Sequence, residues 1–162
     1  MTPNELSFIA LANEYCTAVT NPPEQSSDFV DGMLRLLPRL YITASDLSVT
    51  SLYGEGYLEQ AMDETLYSDI VNRVGALMGY DDTYLEVFMA DMKYSETPIA
   101  TTISEGLADI AQVLYNFLST VRDAPEEVVS EALYAVRTDF TEFWSQTLCN
   151  VLRALNAVKY QS

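Results

Sequence analysis

A chain of 162 residues, 49% of them hydrophobic, is long enough for one domain with a buried core and too apolar for global disorder. Its 24 acids against 8 bases give a formal net charge of −16, which argues against a phosphate backbone or an anionic membrane surface as partner. With no histidine, the chain cannot form Ser-His or Cys-His nucleophile pairs, imidazole bases or histidine-ligated zinc.

The first residues carry neither the basic stretch nor the apolar core of a signal peptide, and no apolar run approaches a membrane span. A cytoplasmic location is the expectation. Cys16 and Cys149, near opposite ends, could meet if the first and last helices are neighbours, but they read as free, buried thiols in that compartment.

Thr2-Pro3-Asn4-Glu5 has the order of a capping box, with Thr as N-cap, Pro in the first turn and Glu three residues on. Phe8, Ala12, Tyr15, Cys16 and Val19 then recur at helical spacing until Asn21-Pro22-Pro23 stops the helix. A second helix is predicted from a cap at Ser27 or Asp28. It has two adjacent stripes, Phe29, Met33, Leu36 and Leu40 beside Val30, Leu34, Leu37 and Tyr41, and Pro38 within it is expected to bend the helix. From residue 45 to 57 the periodicity dissolves into Ser, Thr and Gly, and a loop draped on the bundle is expected.

A third helix is predicted from about Leu58 to Met78, closed by Gly79, and a short fourth helix from Asp81 or Asp82 through Tyr84, Leu85, Val87 and Phe88. The central element is Ile103 to Val121. Ile103, Leu107, Ile110, Leu114, Phe117 and Val121 step by four and three, and Ala108, Ala111 and Leu118 widen the seam. Such a helix needs neighbours on more than one side.

Asp123-Ala124-Pro125-Glu126-Glu127 opens a last helix that can run to about Lys159. Its stripe Val129, Leu133, Val136, Phe140 and Phe143 is continued by Trp144, Leu148, Val151, Leu155 and Val158 only after a one-residue shift, so an interruption near Thr138 to Thr141 is expected. The aromatic block Phe140, Phe143 and Trp144 reads as core. The fold class is therefore all-α: a single-domain bundle of about five to six helices over residues 1–162, with a long C-terminal helix.

Several pieces taken in order resemble an uncharacterised bacterial all-helical family, a domain of unknown function. They are Glu14-Tyr15-Cys16, Leu36-Leu37-Pro38-Arg39-Leu40-Tyr41, the Gly79-Tyr80-Asp81-Asp82-Thr83-Tyr84 turn, Leu107-Ala108-Asp109-Ile110, and Phe143-Trp144 followed by Leu152-Arg153-Ala154-Leu155. The resemblance implies a helical cytoplasmic domain and supplies no activity. Relatives carry paired acids where this chain has Glu105-Gly106, and histidines around the Trp where it has Ser145-Gln146.

Two classes of function remain open. The first is a non-enzymatic interaction or accessory domain, self-associating or partner-binding, with no cofactor. Its candidate contacts are Tyr53, Tyr57 and Tyr84, whose rings combine apolar area with a polar tip, and Arg35 and Arg39, two guanidiniums on one face that can clamp an anion. The alternative is a divalent-metal enzyme with a carboxylate-only Mg²⁺ or Mn²⁺ site. Glu105 and Asp109, four apart on one helical face, would be joined by Asp81 or Asp82. Glu126-Glu127 followed by Glu131 misses the Glu-Glu-x-x-Glu spacing of helical nucleotide pyrophosphohydrolases. A weaker alternative is an acidic nucleic-acid mimic, against which stands the dispersal of the acids.

Overall fold

The structure is a computed structural model that describes residues 1–51, 53–86 and 99–161. Its elements in chain order are α1 (Pro3–Thr20), α2 (Ser26–Ser45), α3 (Glu64–Met78), a 3₁₀ turn (Gly79–Asp82), β1 (Thr83–Glu86), β2 (Ile99–Thr102), α4 (Ile103–Val121), α5 (Glu126–Asp139), a π-helical segment (Phe140–Trp144) and α6 (Ser145–Gln161). The last three are continuous, so the described residues form five helical rods, within the five to six helices that the periodicity predicts. The terminal rod is about 54 Å long.

Helix α1 starts as its sequence dictates. The Thr2 hydroxyl accepts from the Glu5 amide at 3.1 Å while the Glu5 carboxylate accepts from the Thr2 amide at 3.1 Å, satisfying two orphan donors reciprocally. Its buried residues are the five that share its predicted face. Helix α2 starts earlier than expected. Its first residue is Ser26, and the N-cap Gln25 makes no side-chain cap, so neither Ser27 nor Asp28 has that role. Pro38 sits inside a helix that continues to Ser45.

Helix α4 begins and ends where the seam does, at Ile103 and Val121. It packs against α1, α3, α5 and α6, which makes it the axis of the core. Two details let neighbours approach. A Cβ on Gly106 would stand 3.3 Å from Val151 of α6, and the Tyr15 hydroxyl, wholly buried, donates to the Leu107 carbonyl at 2.5 Å. Burial holds the Tyr15 phenol well above its ordinary pKa, so it stays a donor.

Three expectations are corrected. The segment before α3 is irregular, not helical, as far as Asp63, which caps the helix by accepting from Leu66 N at 2.8 Å. Its amides are taken by α4: Glu59 N donates to Thr120 Oγ1 at 2.9 Å, and Ala61 N and Met62 N donate to Asn116 Oδ1 at 2.9 and 2.8 Å. Tertiary partners here outcompete the helix. The predicted fourth helix is instead the 3₁₀ turn followed by β1, whose Thr83 to Glu86 pair antiparallel with Thr102 to Ile99; Val87 and Phe88 lie outside the described residues. Finally, Phe143 is not core, being 66% exposed beside a Trp144 only 2% exposed.

That last correction and the predicted interruption have one cause. The Ser145 amide donates to the Phe140 carbonyl, a π-type bond spanning five residues. The extra residue in the turn advances the phase of the stripe, turning Trp144 inward and Phe143 outward. Trp144 then packs against Phe140 at 4.6 Å and Phe8 at 6.4 Å, and its Nε1 donates to the Val136 carbonyl at 3.2 Å.

Residues 46–51 and 53–57 are free of helix and strand, as expected of a loop. No helix among the described residues is long and apolar enough to cross a membrane. Both cysteines are free; Cys16 is buried as expected, whereas Cys149 on α6 is exposed, against expectation. Burial pushes the Cys16 thiol up to about 12.

Candidate functional site

The N-terminal end of α4 gathers most of the acids read as possible ligands, so its geometry decides what they can do. Thr102 caps the helix by accepting from the Glu105 amide at 3.1 Å. Asp82, only 9% exposed at the end of the 3₁₀ turn, adds a second cap from outside the helix: Oδ1 accepts from the Ser104 amide at 2.8 Å, and Oδ2 accepts from the Ser104 hydroxyl at 2.7 Å. Both oxygens are thus committed to the positive end of the helix dipole. Asp81, one residue earlier, is exposed and faces α6 across a groove.

Glu105 and Asp109 are both exposed on α4. Asp109 accepts from the Tyr67 hydroxyl at 2.6 Å in an open groove shared with Asp63, Glu64 and Gln112. Burial first, then this bond and the charges of Asp109 and Glu105, push the Tyr67 phenol well above its ordinary range. It serves as a hydrogen-bond donor to Asp109 rather than as a proton acceptor. Among the described residues no three acids or cysteines come together in a way that would hold a metal ion. The turn at Asp81 and Asp82 does approach α4, as the spacing suggested, but it arrives as a cap and not as a third carboxylate beside Glu105 and Asp109.

The two arginines of α2 do not form a clamp. Arg39 turns to Glu14 of α1 at 3.9 Å and donates through Nε to the Arg35 carbonyl at 3.0 Å. Asp31, one turn before Arg35, is engaged by Lys159 near the end of α6 at 2.5 Å. Both ion pairs are substantially exposed and contribute little to stability.

The three tyrosines proposed as one contact surface are separated. Tyr53 and Tyr57 lie on the loop over α5, exposed, near the segment that docks on Asn116 and Thr120. Tyr84 lies on β1 beside the Asp82–Ser104 cap. From Ser104 to Thr120, about 24 Å of helix lies between the two places.

What Tyr84 does share is a groove of about 520 Å³ between the turn and strand on one side and the last turns of α6 on the other. Tyr80, fully exposed, and Leu85, largely exposed, stand on the strand side; Arg153, Asn156 and Gln161 stand on the helix side. Among the described residues Arg153 makes no ion pair. The sequence places Arg153 and Tyr80 in two separate motifs and Leu85 in an expected helix, and nothing in it brings the three together, because Leu85 is presented by a strand whose partner begins only at Ile99.

A five-rod helical bundle with a π-jointed terminal rod, a small hairpin and no clustered catalytic groups among its described residues defines the class: a helical domain without an assigned activity. The chain belongs to the family described as "Domain of unknown function (DUF5063)", whose model matches residues 1–161. It is similar in structure to protein BF1032 from Bacteroides fragilis, a structural-genomics crystal structure, at 29% identity and a TM-score of 0.85 over 99% of this chain and 95% of that one. No functionally curated protein matches it. The family resemblance read from the ordered motifs therefore holds, and it brings no chemistry with it.

Proposed function

We propose that this protein is a non-enzymatic interaction domain of the cytoplasm, which binds a protein partner or a second copy through the groove between β1 and the end of α6. The observation that carries this reading is the composition of that groove. Exposed Tyr80 and Leu85 sit opposite Arg153, and Tyr and Arg are the residue types that dominate binding energy at protein interfaces. The net charge of −16 points to protein rather than nucleic acid or an anionic membrane as the partner. The same reading needs no resident cofactor: Asp82 is committed to Ser104 and Asp109 to Tyr67.

The test is mass measurement by light scattering with cross-linking, from micromolar to several hundred micromolar, on the native chain and on a Tyr80→Ala/Leu85→Asp variant. The expected result is a species heavier than the 18.1 kDa monomer, or a stoichiometric co-purifying protein, that the variant loses. A strict monomer without a stoichiometric partner at every concentration would sink the proposal. Calorimetric titration with Mg²⁺ and Mn²⁺ is expected to give only heats of dilution, unchanged in Glu105→Ala; saturable binding lost in that variant would restore the metal-enzyme reading.

A further inference from the structure

Glu131 is the one acid of α5 that is buried, at 7% exposure, and it holds the loop above it at two points. Its Oε2 accepts from the Ser51 hydroxyl at 2.6 Å. That same hydroxyl oxygen accepts from the amides of Tyr53 at 3.1 Å and Gly54 at 2.8 Å, so the start of the arc Tyr53–Tyr57 is relayed to the carboxylate through Ser51. The end of the arc is held by the backbone of the same residue, since Tyr57 N donates to the Glu131 carbonyl at 3.1 Å.

Between these points the arc is shaped for contact rather than for self-support. Gly56 has φ +75° and lies so close to α5 that a Cβ there would stand 3.0 Å from Ala135. Gly54 also has positive φ, and Tyr53 and Tyr57 are exposed at 76% and 55%. The arc contributes no residue to the buried core, whose nearest buried members among the described residues are Leu47 and Met62, with Val49 and Leu58 partly buried against it. A segment with few apolar contacts and its hydrogen bonds concentrated on one partner opens at low cost and as a unit.

We infer that Tyr53–Tyr57 is a strap latched at both ends to Glu131, which opens cooperatively while the helices beneath it stay folded. The hydroxyl of Ser51 couples the two ends: when it lets go of the carboxylate, the amides of Tyr53 and Gly54 lose their acceptor's anchor, and the Tyr57 bond, left to hold the arc alone, is released with them. Opening moves two exposed tyrosines together and uncovers the Glu131–Ala135 stretch of α5. The inference does not rest on the groove at the other end of α4.

Amide-resolved hydrogen exchange on the full chain tests it, with Ser51→Ala as the informative variant because it touches the arc only at its start. A cooperative strap predicts that Ser51→Ala speeds exchange of the Tyr57 amide as well as those of Tyr53 and Gly54, roughly tenfold in each case, the value for one lost hydrogen bond. Amides in the middle of α4 should be unchanged. Acceleration at Tyr53 and Gly54 with Tyr57 unaltered would overturn the inference, as would equal acceleration throughout the helices. Glu131→Gln, which keeps an acceptor for the Ser51 hydroxyl and removes only the charge, should give the same pattern more weakly, with Tyr57 moving in step with Tyr53 and Gly54; acceleration at Tyr53 and Gly54 alone would likewise overturn it.

Discussion

Replacing Asp82 separates two roles that a buried carboxylate at this place can have. In the structure it accepts two short hydrogen bonds from Ser104 at the first turn of α4. Hydrogen bonds to a charged group contribute about 1.5–3 kcal/mol each when one partner is removed, and a carboxylate at a helix N-terminus gains roughly a further 0.3–1 kcal/mol from the dipole. The two bonds share one group and water can enter, so Asp82→Ala is expected to cost about 2–4 kcal/mol. For a chain of this length that is roughly 4–15 °C in Tm. Asp82→Asn keeps an acceptor for the Ser104 amide and should cost about 1 kcal/mol. Urea unfolding followed by circular dichroism is the assay, and a double-mutant cycle with Ser104→Ala should give a coupling of at least about 0.5 kcal/mol. A carboxylate held ready for a cation behaves oppositely, because removing it relieves repulsion with neighbouring Asp81. A loss below about 0.5 kcal/mol, or a gain in stability, would refute the capping argument.

Other substitutions probe other joints. Trp144→Ala should cost about 3–5 kcal/mol while Phe143→Ser stays within about 0.5 kcal/mol of native, a contrast in urea midpoints that only the π-shifted phase produces. Gly56→Ala should destabilise by roughly 1–3 kcal/mol, since φ is positive and Ala135 blocks the added methyl; Gly32→Ala, inside α2 with open space at its Cβ, should stabilise by about 0.5–1 kcal/mol, and thermal melts rank the pair. Burial first, and the Glu142 charge second, raise the Asp139 carboxyl above its ordinary pKa. The folded state therefore binds that proton more readily than the unfolded one, so the contribution of Asp139 is favourable below the unfolded pKa and is lost as pH rises through the folded one. Asp139→Asn should accordingly be more stable than the native chain near pH 7, with the advantage gone below about pH 4, as chemical denaturation across that range will show.

How much of this was legible in the sequence depended on how far each residue's partner lay along the chain. The capping box at Thr2 and Glu5 and the ends of α4 rest on partners within a turn, and the pattern located them. The one-residue slip between Phe143 and Trp144 signals a break in the last helix, but the expected place, Thr138 to Thr141, overlaps only the start of the π segment Phe140–Trp144, and the stripe carries Phe143 wrongly into the core. The irregular run before Asp63 reads as helix in the sequence because its acceptors, Asn116 and Thr120, lie more than fifty residues away. A run as short as Tyr84-Leu85 fits either period, and its strand pairing is settled by Ala100 and Thr101. The candidate site suffered most. Asp82 was recognised as a carboxylate near α4, but that it faces Ser104 is a fact of tertiary structure. Tyr53, Tyr57 and Tyr84 are close in sequence and lie at opposite ends of a helix none of them belongs to.

The chain has one tryptophan among 11 tyrosines, and that tryptophan is the residue the π turn rotates inward. Its indole is fixed against Phe8 and Phe140 and tied to the Val136 carbonyl. The protein therefore carries an optical probe at the joint of its longest rod. Excited selectively, Trp144 should emit from a dry environment and shift to the red when that joint loosens, before or together with the rest of the bundle. Nature has placed the label where a spectroscopist would ask for it.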